Sequence, residues 1–429
     1  MRPLGFKTIN NEAYLHEFKL SNIAKEYGTP LYVMDDIHLR NTLNDFKNYF
    51  KGDTFNPYVV YASKAFMTPY ICNLMSEYNY YMDSVSLGDL YVAKYSNFNM
   101  KHIVFHGNNK STKELNYAID EGVGLIVVDN FYELSVLDEL LKSKNKKQDI
   151  MIRINPGIDA HTHKYIQTAK LSSKFGESIY DEEIIDKIIK KVKTSENLNL
   201  VGFHAHIGSQ IHESGAFTTE IDKMVAFQLD ICTRYDIHLS TLNLGGGFGI
   251  KYTKDEKNIV IKDIMTIVST HLDMVLKNQK IIKNIMIEPG RSIVGPAGIT
   301  LYSCSQIKKT YGGKNYLFID GGMTDNIRPA LYEAVYECDI VNKMNNKKEI
   351  LVDVVGKCCE SGDIIRENVE MPLIDNNDVL VVYATGAYNH SMSSNYNNHL
   401  KPAVISVGEK IELVSRRETL EDLCKLFNK

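Results

Sequence analysis

Apolar runs alternate with amphipathic segments through the first two-thirds of the chain. The runs are apolar throughout, which is typical of strands buried on both faces of a parallel sheet that helices cover. Eight such units over about 250 residues predict a closed (β/α)8 TIM barrel. The predicted strands are Tyr58–Lys64, Tyr80–Ser86, Ile103–Gly107, Leu125–Asn130, Ile150–Asn155, Leu200–Gly208, Thr241–Gly247 and Ile285–Gly290, and the clearest helices are Ser111–Glu121, Phe131–Lys142, Asp181–Val192 and Gly215–Tyr235.

The pattern changes after about Pro296, where short extended runs are joined by turn clusters. This favours a second, all-β domain, resembling a sandwich or a barrel. An early strand, Leu31–Met34, lies outside the eight repeats, and we expect it to join that sheet. We therefore predict a barrel domain over 36–295 and a β domain built from 1–35 and 296–429. The predicted strands of its C-terminal part are Ile299–Lys308, Tyr316–Asp320, Ile350–Val355, Val379–Ala384 and Ala403–Val407.

Composition narrows the class of protein. The formal net charge of −4 over 429 residues gives no electrostatic reason to expect nucleic acid or an anionic membrane as a partner. No apolar run approaches the length of a membrane span, and no signal peptide is evident. The seven cysteines are scattered apart from Cys358-Cys359, which suits a reducing compartment. We expect a cytoplasmic protein.

Polar side chains close each of the eight apolar runs. In barrels, functional sites lie at the carboxyl ends of the strands, so these side chains are predicted to meet in one pocket. They are Lys64; Ser84 and Ser86; His106 and Asn108; Asp129 and Asn130; Arg153 and Asn155; His204 and His206; Gly245–Gly247; and Glu288 with Arg291.

Lys64 ends the first run among small residues, Ala62, Ser63 and Ala65. Small neighbours leave room for a ring beside the amine. We expect the amine to be partly desolvated and therefore a nucleophile toward a carbonyl. The alternative is a strand that ends on a solvated lysine.

Two glycine-containing motifs follow the seventh and eighth strands. The backbone N–H groups of Gly245–Gly247 could close on an anion, although their spacing does not fit the dinucleotide fingerprint. The alternative is a tight turn. Glu288 could pair with a cationic ring nitrogen, and Arg291 could hold a phosphate or carboxylate in a bidentate contact. The alternative is an internal ion pair between these two residues.

His204 and His206 are two residues apart, so on a strand they would point to the same face. This spacing suits a pair of metal ligands, as in a barrel hydrolase. Alternatively, one imidazole stacks on a planar ring while Gly208 and Ser209 donate to a phosphate. The residues alone leave both interpretations open.

The β domain carries three further candidates. The thiol of Cys359, beside Glu360, could act as an acid or base, or could be a buried cysteine in a turn. Arg328 could bind a carboxylate, and Tyr388 places a phenol next to Gly386-Ala387.

Six motifs occur in one order and together resemble the fold-type III pyridoxal-phosphate decarboxylases. The resemblance covers about Gly28 to Leu420. It implies a pyridoxal 5'-phosphate cofactor, no metal, and a head-to-tail homodimer whose subunits share their active sites. The motifs are Tyr61-Ala62-Ser63-Lys64-Ala65, His206-Ile207-Gly208-Ser209-Gln210, Gly245-Gly246-Gly247-Phe248, Glu288-Pro289-Gly290-Arg291, Cys359-Glu360-Ser361-Gly362-Asp363 and Gly386-Ala387-Tyr388.

The resemblance also implies a role for each matching residue. The reaction would be decarboxylation of meso-2,6-diaminopimelate to L-lysine and CO2, and the alternative substrate is another basic amino acid such as ornithine or arginine. A non-catalytic cofactor-binding protein is a further alternative. The implied catalytic residues are Lys64, which would hold the cofactor, and Cys359 (or its neighbour Cys358), which would donate a proton. The implied cofactor contacts are Lys64, His206, Ser209, Gly246, Gly247, Glu288, Gly290, Arg291 and Tyr388, and the implied substrate contacts are Arg291, Arg328, Tyr332, Glu360 and Tyr388.

Overall fold

A computed structural model describes residues 1–158, 173–257, 259–376 and 378–428. The chain forms two compact units. The first, here called the barrel unit, consists of Leu43–Gly249 and Ile259–Gly290. The second, here called the β unit, consists of Met1–Thr42, Ile250–Asn258 and Arg291–Lys429. A short segment in the middle of the barrel sequence therefore belongs to the β unit.

The strands and helices of the described residues are numbered in chain order. The strands are β1 Phe6–Ile9, β2 Glu12–Leu15, β3 Phe18–Lys19, β4 Leu31–Asp35, β5 Asn56–Tyr61, β6 Tyr81–Ser84, β7 Ile103–Phe105, β8 Leu125–Val128, β9 Gln148–Asn155, β10 Glu177–Ser178, β11 Leu198–His204, β12 Thr241–Asn243, β13 Asn284–Ile287, β14 Gly298–Lys309, β15 Asn315–Ile319, β16 Cys338–Ile340, β17 Ile350–Val355, β18 Ile364–Met371, β19 Val379–Tyr383, β20 Ala403–Val407 and β21 Ile411–Ser415. The α-helices are α1 Leu20–Tyr27, α2 Asp36–Tyr49, α3 Pro69–Glu77, α4 Leu87–Tyr95, α5 Thr112–Glu121, α6 Phe131–Lys144, α7 Glu182–Thr194, α8 Ser214–Tyr235, α9 Ile261–Leu276, α10 Arg291–Val294, α11 Arg328–Tyr332 and α12 Leu420–Cys424.

Eight parallel strands close into a barrel. They follow the order β9, β11, β12, β13, β5, β6, β7, β8, and β8 pairs with β9 to complete the ring. The predicted TIM barrel is thus confirmed. Val60, Val104, Val127, Met151 and Met286 pack together as one buried apolar cluster of these strands. Strands that are covered on both faces need a continuous apolar sequence. This is why apolar runs in the sequence predict the barrel strands.

The first barrel strand is shorter than predicted. β5 ends at Tyr61, and Lys64 lies in the 3-10 turn Ser63–Ala65 that follows. The predicted helices are confirmed to within two residues at either end, and Ser111 begins α5 with a capping box to Glu114. No helix in the described ranges is long and apolar enough to cross a membrane.

The β unit is built around a sheet in the order β18, β17, β15, β14, β4, β20, β21, with β19 pairing to β14 and β16 to β19. β4 runs antiparallel to β14 and parallel to β20. The N-terminal strand therefore joins the C-terminal sheet, as predicted. The sequence did not predict the separate three-stranded sheet β1–β3, nor the strands β16, β18 and β21 of the larger sheet. In β18, most side chains are at least partly exposed.

Candidate active site

Glu288 is the centre of a buried cluster at the carboxyl ends of the barrel strands. Its Oε1 accepts hydrogen bonds from Asn243 Nδ2 at 2.8 Å and contacts His106 Nε2 at 2.8 Å. Its Oε2 lies 3.3 Å from His204 Nε2. All four side chains are buried. The predicted convergence of strand ends is therefore observed for β7, β11, β12 and β13.

The partners of Glu288 keep its carboxyl ionised. Burial acts to raise the pKa of Glu288, but His106 and His204 outweigh it and hold that pKa well below the usual value. Burial also lowers the pKa of His204 to about 4, so this imidazole is neutral near pH 7 and its Nε2–H can donate. The cluster thus presents a fixed anion held mainly by N–H donors.

The two histidines of the sixth strand do not act as a pair. β11 ends at His204, and His206 lies in the loop that follows, where its Nδ1 accepts a hydrogen bond from Gly246 N at 3.1 Å. The prediction that both lie on the strand is wrong. Among the described residues, the group with metal-ligand geometry is His106, His204 and Glu288, so the hydrolase pairing of His204 with His206 is not what the fold assembles.

The loops after β11 and β12 lie side by side, and glycine allows their close approach. A Cβ on Gly246 would lie 2.0 Å from the Glu288 carbonyl oxygen, and one on Gly247 would lie 2.3 Å from the Gly208 oxygen. Gly247 also has a φ of +99°, which disfavours a side chain. Ile211 N donates to Gly247 O at 2.9 Å, which fixes the loop that carries Ser209 against the glycine turn.

Lys64 lies in the same set of strand ends. The neighbouring Ser63 N donates to Asp83 Oδ1 at 2.6 Å, and burial raises the pKa of Asp83 to about 6 although the Lys64 charge opposes that rise. A Cβ on Gly290 would lie 2.7 Å from the Ala62 Cβ, so this glycine lets the eighth strand end pack against the lysine turn. Lys64 as a whole residue is exposed, and the expected partial desolvation of its amine stays a prediction.

These barrel groups fit pyridoxal phosphate by their chemistry. The cofactor has an aldehyde, a ring nitrogen that is cationic when protonated, and a phosphate. The cluster offers an exposed lysine at Lys64 for the aldehyde and a fixed carboxylate at Glu288 for the ring nitrogen. It also offers a glycine turn for the phosphate, where no side chain keeps a ligand away from the backbone N–H groups. The fit rests on charge and hydrogen-bonding type.

A second cluster, here called the arginine cluster, lies within the β unit. The guanidinium carbon of Arg328 lies 5.6 Å from the ring centres of both Tyr252 and Tyr388, and 5.5 Å from that of Tyr332. The guanidinium of Arg291 lies 4.7 Å from the Tyr388 ring. Both arginines are buried. Tyr388 has a φ of +66°, an uncommon conformation for tyrosine that suggests a functional constraint.

The two cysteines that precede Glu360 differ in burial. Cys358 is buried, its N donates to Asp363 Oδ2 at 2.8 Å, and burial raises the pKa of its thiol to about 11. Cys359 is exposed. Glu360 accepts a hydrogen bond from Tyr396 OH at 2.5 Å and forms no ion pair with Arg328 in the part of the chain that the structure describes. Cys359 and Glu360 thus face outward on this subunit.

Sequence reasoning missed several residues of both clusters. His106 was recognised only as a strand end, and Asn243 was not singled out, because their approach to Glu288 depends on closure of the barrel. Tyr252 and Tyr336 line the arginine cluster without belonging to any recognised motif. The sequence feature that could have indicated Tyr252 is its position three residues after Gly249, the last glycine of the loop.

Comparison with known sequences supports one family. The family model described as "Pyridoxal-dependent decarboxylase, pyridoxal binding domain" matches residues 37–295. The diaminopimelate decarboxylase of Bacillus subtilis is 41% identical over 406 residues, which are 94% of this chain and 92% of the relative. That of Staphylococcus aureus is 39% identical and covers 96% of this chain and 97% of the relative.

Solved structures give the same result. A diaminopimelate decarboxylase from M. jannaschii superposes with a TM-score of 0.91 at 32% identity, covering 99% of this chain and 98% of that one. The Helicobacter pylori enzyme complexed with L-lysine gives a TM-score of 0.86 at 30% identity, covering 95% and 98%. By sequence and by structure, this chain belongs to the pyridoxal-dependent decarboxylases, in their diaminopimelate decarboxylase branch.

Proposed function

We propose that this protein decarboxylates meso-2,6-diaminopimelate to L-lysine and CO2 with pyridoxal 5'-phosphate as its cofactor. The observation that carries the proposal is the buried, ionised Glu288 held by His106, His204 and Asn243. Bound pyridoxal phosphate supplies an electron sink for the electron pair that remains when an amino acid loses CO2. A carboxylate beside the ring nitrogen favours the protonated ring, which is the stronger sink.

The barrel residues have complementary roles in this proposal. Lys64 holds the cofactor covalently, and Glu288 keeps a proton on the ring nitrogen. His206, whose Nδ1 accepts a hydrogen bond from Gly246 N, would stack on the ring. Ser209, Gly246 and Gly247 would bind the phosphate, and Gly290 would be a further cofactor contact of the barrel unit.

The arginine cluster supports a substrate with a second carboxylate. Arg328 is buried among phenol rings, and no carboxylate of the described residues forms an ion pair with it. A buried guanidinium without a carboxylate partner favours an anionic ligand. Ornithine and arginine lack a remote carboxylate, so they would leave Arg328 unmatched. We assign Arg291, Arg328, Tyr332 and Tyr388 to substrate binding.

The outward-facing turn is best explained by a homodimer. We assign Cys359 as the proton donor and Glu360 as the partner of the substrate's remote ammonium. Both residues are exposed on one subunit, which suits delivery of this turn to the active site of a second copy. The seven cysteines are all free, which supports a cytoplasmic location.

The direct test is an assay of the purified chain with pyridoxal phosphate and meso-diaminopimelate. We expect equimolar CO2 and L-lysine, with negligible CO2 from ornithine or arginine. Preferential turnover of ornithine or arginine would overturn the substrate assignment.

A further inference from the structure

We propose that Tyr252 is a positioning residue for substrate selection, whose hydroxyl holds the two arginines as a single carboxylate clamp. The proposal rests on the proposed function and deepens it. None of the family motifs identified in the sequence contains Tyr252. Its segment, Ile250–Asn258, belongs to the β unit although the chain on both sides of it belongs to the barrel unit.

The Tyr252 hydroxyl is directly bonded to one arginine and its ring lies under the other. Arg291 Nη1 donates to Tyr252 OH at 2.5 Å. The Arg328 guanidinium carbon lies 5.6 Å from the centre of the Tyr252 ring, within the range of a cation–π contact. Tyr252 thus contacts both guanidinium groups. Both guanidinium groups also form cation–π contacts with the Tyr388 ring.

The position of Tyr252 is fixed from several directions. Its ring meets the Tyr336 ring edge-on, with centres 5.3 Å apart and planes at 83°. Its backbone N donates to Glu256 Oε2 at 2.7 Å. The side chain is buried. A phenol held this firmly can orient the flexible side chain of Arg291, because a hydrogen bond to a fixed acceptor removes rotamer freedom before the ligand arrives.

Electrostatics gives the hydroxyl a further role. Two buried guanidinium groups repel each other, and a neutral pocket would make both costly. Burial acts to raise the pKa of Tyr252, but Arg291 and Arg328 outweigh it and lower that pKa. The phenol oxygen therefore offsets part of the charge of the pair. A bound carboxylate supplies the opposite charge that the pair still lacks, and it weakens the field that lowers the pKa of the phenol.

The test variant is Tyr252→Phe, which removes the hydroxyl and keeps the ring. A hydrogen bond to a charged group is worth enough for a loss of about ten- to a hundredfold in affinity. We expect KM for meso-diaminopimelate to rise by about that factor while kcat changes by less than about threefold. Inhibition by L-lysine, which keeps the remote carboxylate, should weaken in parallel. Inhibition by cadaverine, which has no carboxylate, should not change.

A matched control is Tyr383→Phe. The Tyr383 hydroxyl is also buried, donates to Asp339 Oδ2 at 3.1 Å, and its ring lies 5.3 Å from the Arg2 guanidinium carbon. This variant should lose comparable thermal stability without a change in KM. The pH dependence of KM is a second readout. A change in KM that follows ionisation of the Tyr252 phenol should occur in the parent and in Tyr383→Phe, and it should be absent from Tyr252→Phe.

The outcomes separate this proposal from the proposed function. If the parent protein does not decarboxylate meso-diaminopimelate, the proposed function fails. The clamp is then tested by calorimetric titration of L-lysine into the holoenzyme. The Tyr252→Phe variant must bind L-lysine more weakly than the parent does. The Tyr252 proposal is overturned if KM and lysine affinity stay at parent values, if cadaverine inhibition weakens equally, if covalent cofactor attachment is lost, or if the parent does not bind L-lysine.

Discussion

The barrel unit and the β unit each bury charged groups, and they stabilise them in opposite ways. In the barrel unit, Glu288 is an anion among N–H donors from His106, His204 and Asn243. In the β unit, Arg328 is a cation among the rings of Tyr252, Tyr332 and Tyr388. Among the described residues, Glu288 forms no ion pair with a lysine or arginine, and Arg328 forms none with a carboxylate. Each cluster therefore keeps a charge available for a ligand.

A third buried charge in the barrel unit shows the contrasting case. Lys110 Nζ lies 2.7 Å from Glu133 Oε1 and also donates to the carbonyl oxygens of Gly107 and Val127. This pair is compensated in charge and in hydrogen bonds, so it stabilises the fold and leaves no charge for a ligand. The comparison teaches that a buried charge without a lysine, arginine or carboxylate counter-ion indicates recognition, whereas a buried charge with such a counter-ion indicates structure.

The largest expected effect concerns the turn of the β unit in which Cys359 is exposed and Cys358 is buried. Cys359→Ala should lower kcat by about 10²- to 10⁴-fold, because the exposed thiol is the proposed proton donor. Cys358→Ala is the control: its thiol is buried, so it should cost thermal stability and retain turnover. Steady-state kinetics of both variants decide between the cysteines. Loss of turnover in a folded Cys358→Ala, with Cys359→Ala active, would reverse the assignment.

The next effect tests the anion itself. Glu288→Gln should lower kcat by about 10²- to 10³-fold, because a neutral amide cannot stabilise a cationic ring. It should not unfold the protein, since it removes a buried charge. Glu133→Gln should do the reverse: it leaves Lys110 uncompensated and should cost about 3–5 kcal/mol in stability with a smaller change in kcat. Kinetics and thermal unfolding of both variants are the measurement, and equal effects on kcat would break the comparison.

A smaller effect tests the cation. Arg328→Lys keeps the charge but loses the planar guanidinium, so KM for meso-diaminopimelate should rise about tenfold with little change in kcat. Arg2→Lys is the control, because Arg2 also stacks on aromatic rings but pairs with Asp339 at 2.8 Å. Its KM should match that of the parent. A fall in kcat at unchanged KM in Arg328→Lys would show that this residue acts on the reacting end of the substrate.

The smallest effect is a pH dependence of stability. Burial lowers the pKa of His204 to about 4, with Glu288 opposing and His106 and Arg153 reinforcing that shift, whereas an unfolded histidine has a pKa near 6.5. As pH falls from about 6.5 to 4, the unfolded state takes up a proton that the folded state does not, so stability decreases, by about 1–3 kcal/mol. His204→Asn should lose this part of the curve in denaturant titrations. An unchanged slope would mean that His204 is protonated in the native protein.

The parts of the fold that sequence predicted share one physical property. Barrel strands such as β8 and β9 are buried on both faces, and such burial requires continuous apolar residues. Six of the eight side chains of β18 are at least partly exposed, so no apolar run marked it. Motifs located Glu288 and Arg328, but their partners His106 and Tyr252 come from distant segments that only the closed barrel and the β unit bring near.

The claim on which this account depends most is that the Lys64 amine holds an aldehyde-bearing cofactor while Glu288 keeps its ring cationic. The direct measurement is mass mapping of peptides after the protein is loaded with pyridoxal phosphate and reduced with borohydride. We expect a single phosphopyridoxyl group on the peptide that contains Lys64, absent from Lys64→Arg. Its absence from the protein, or its presence on another lysine, would contradict the account.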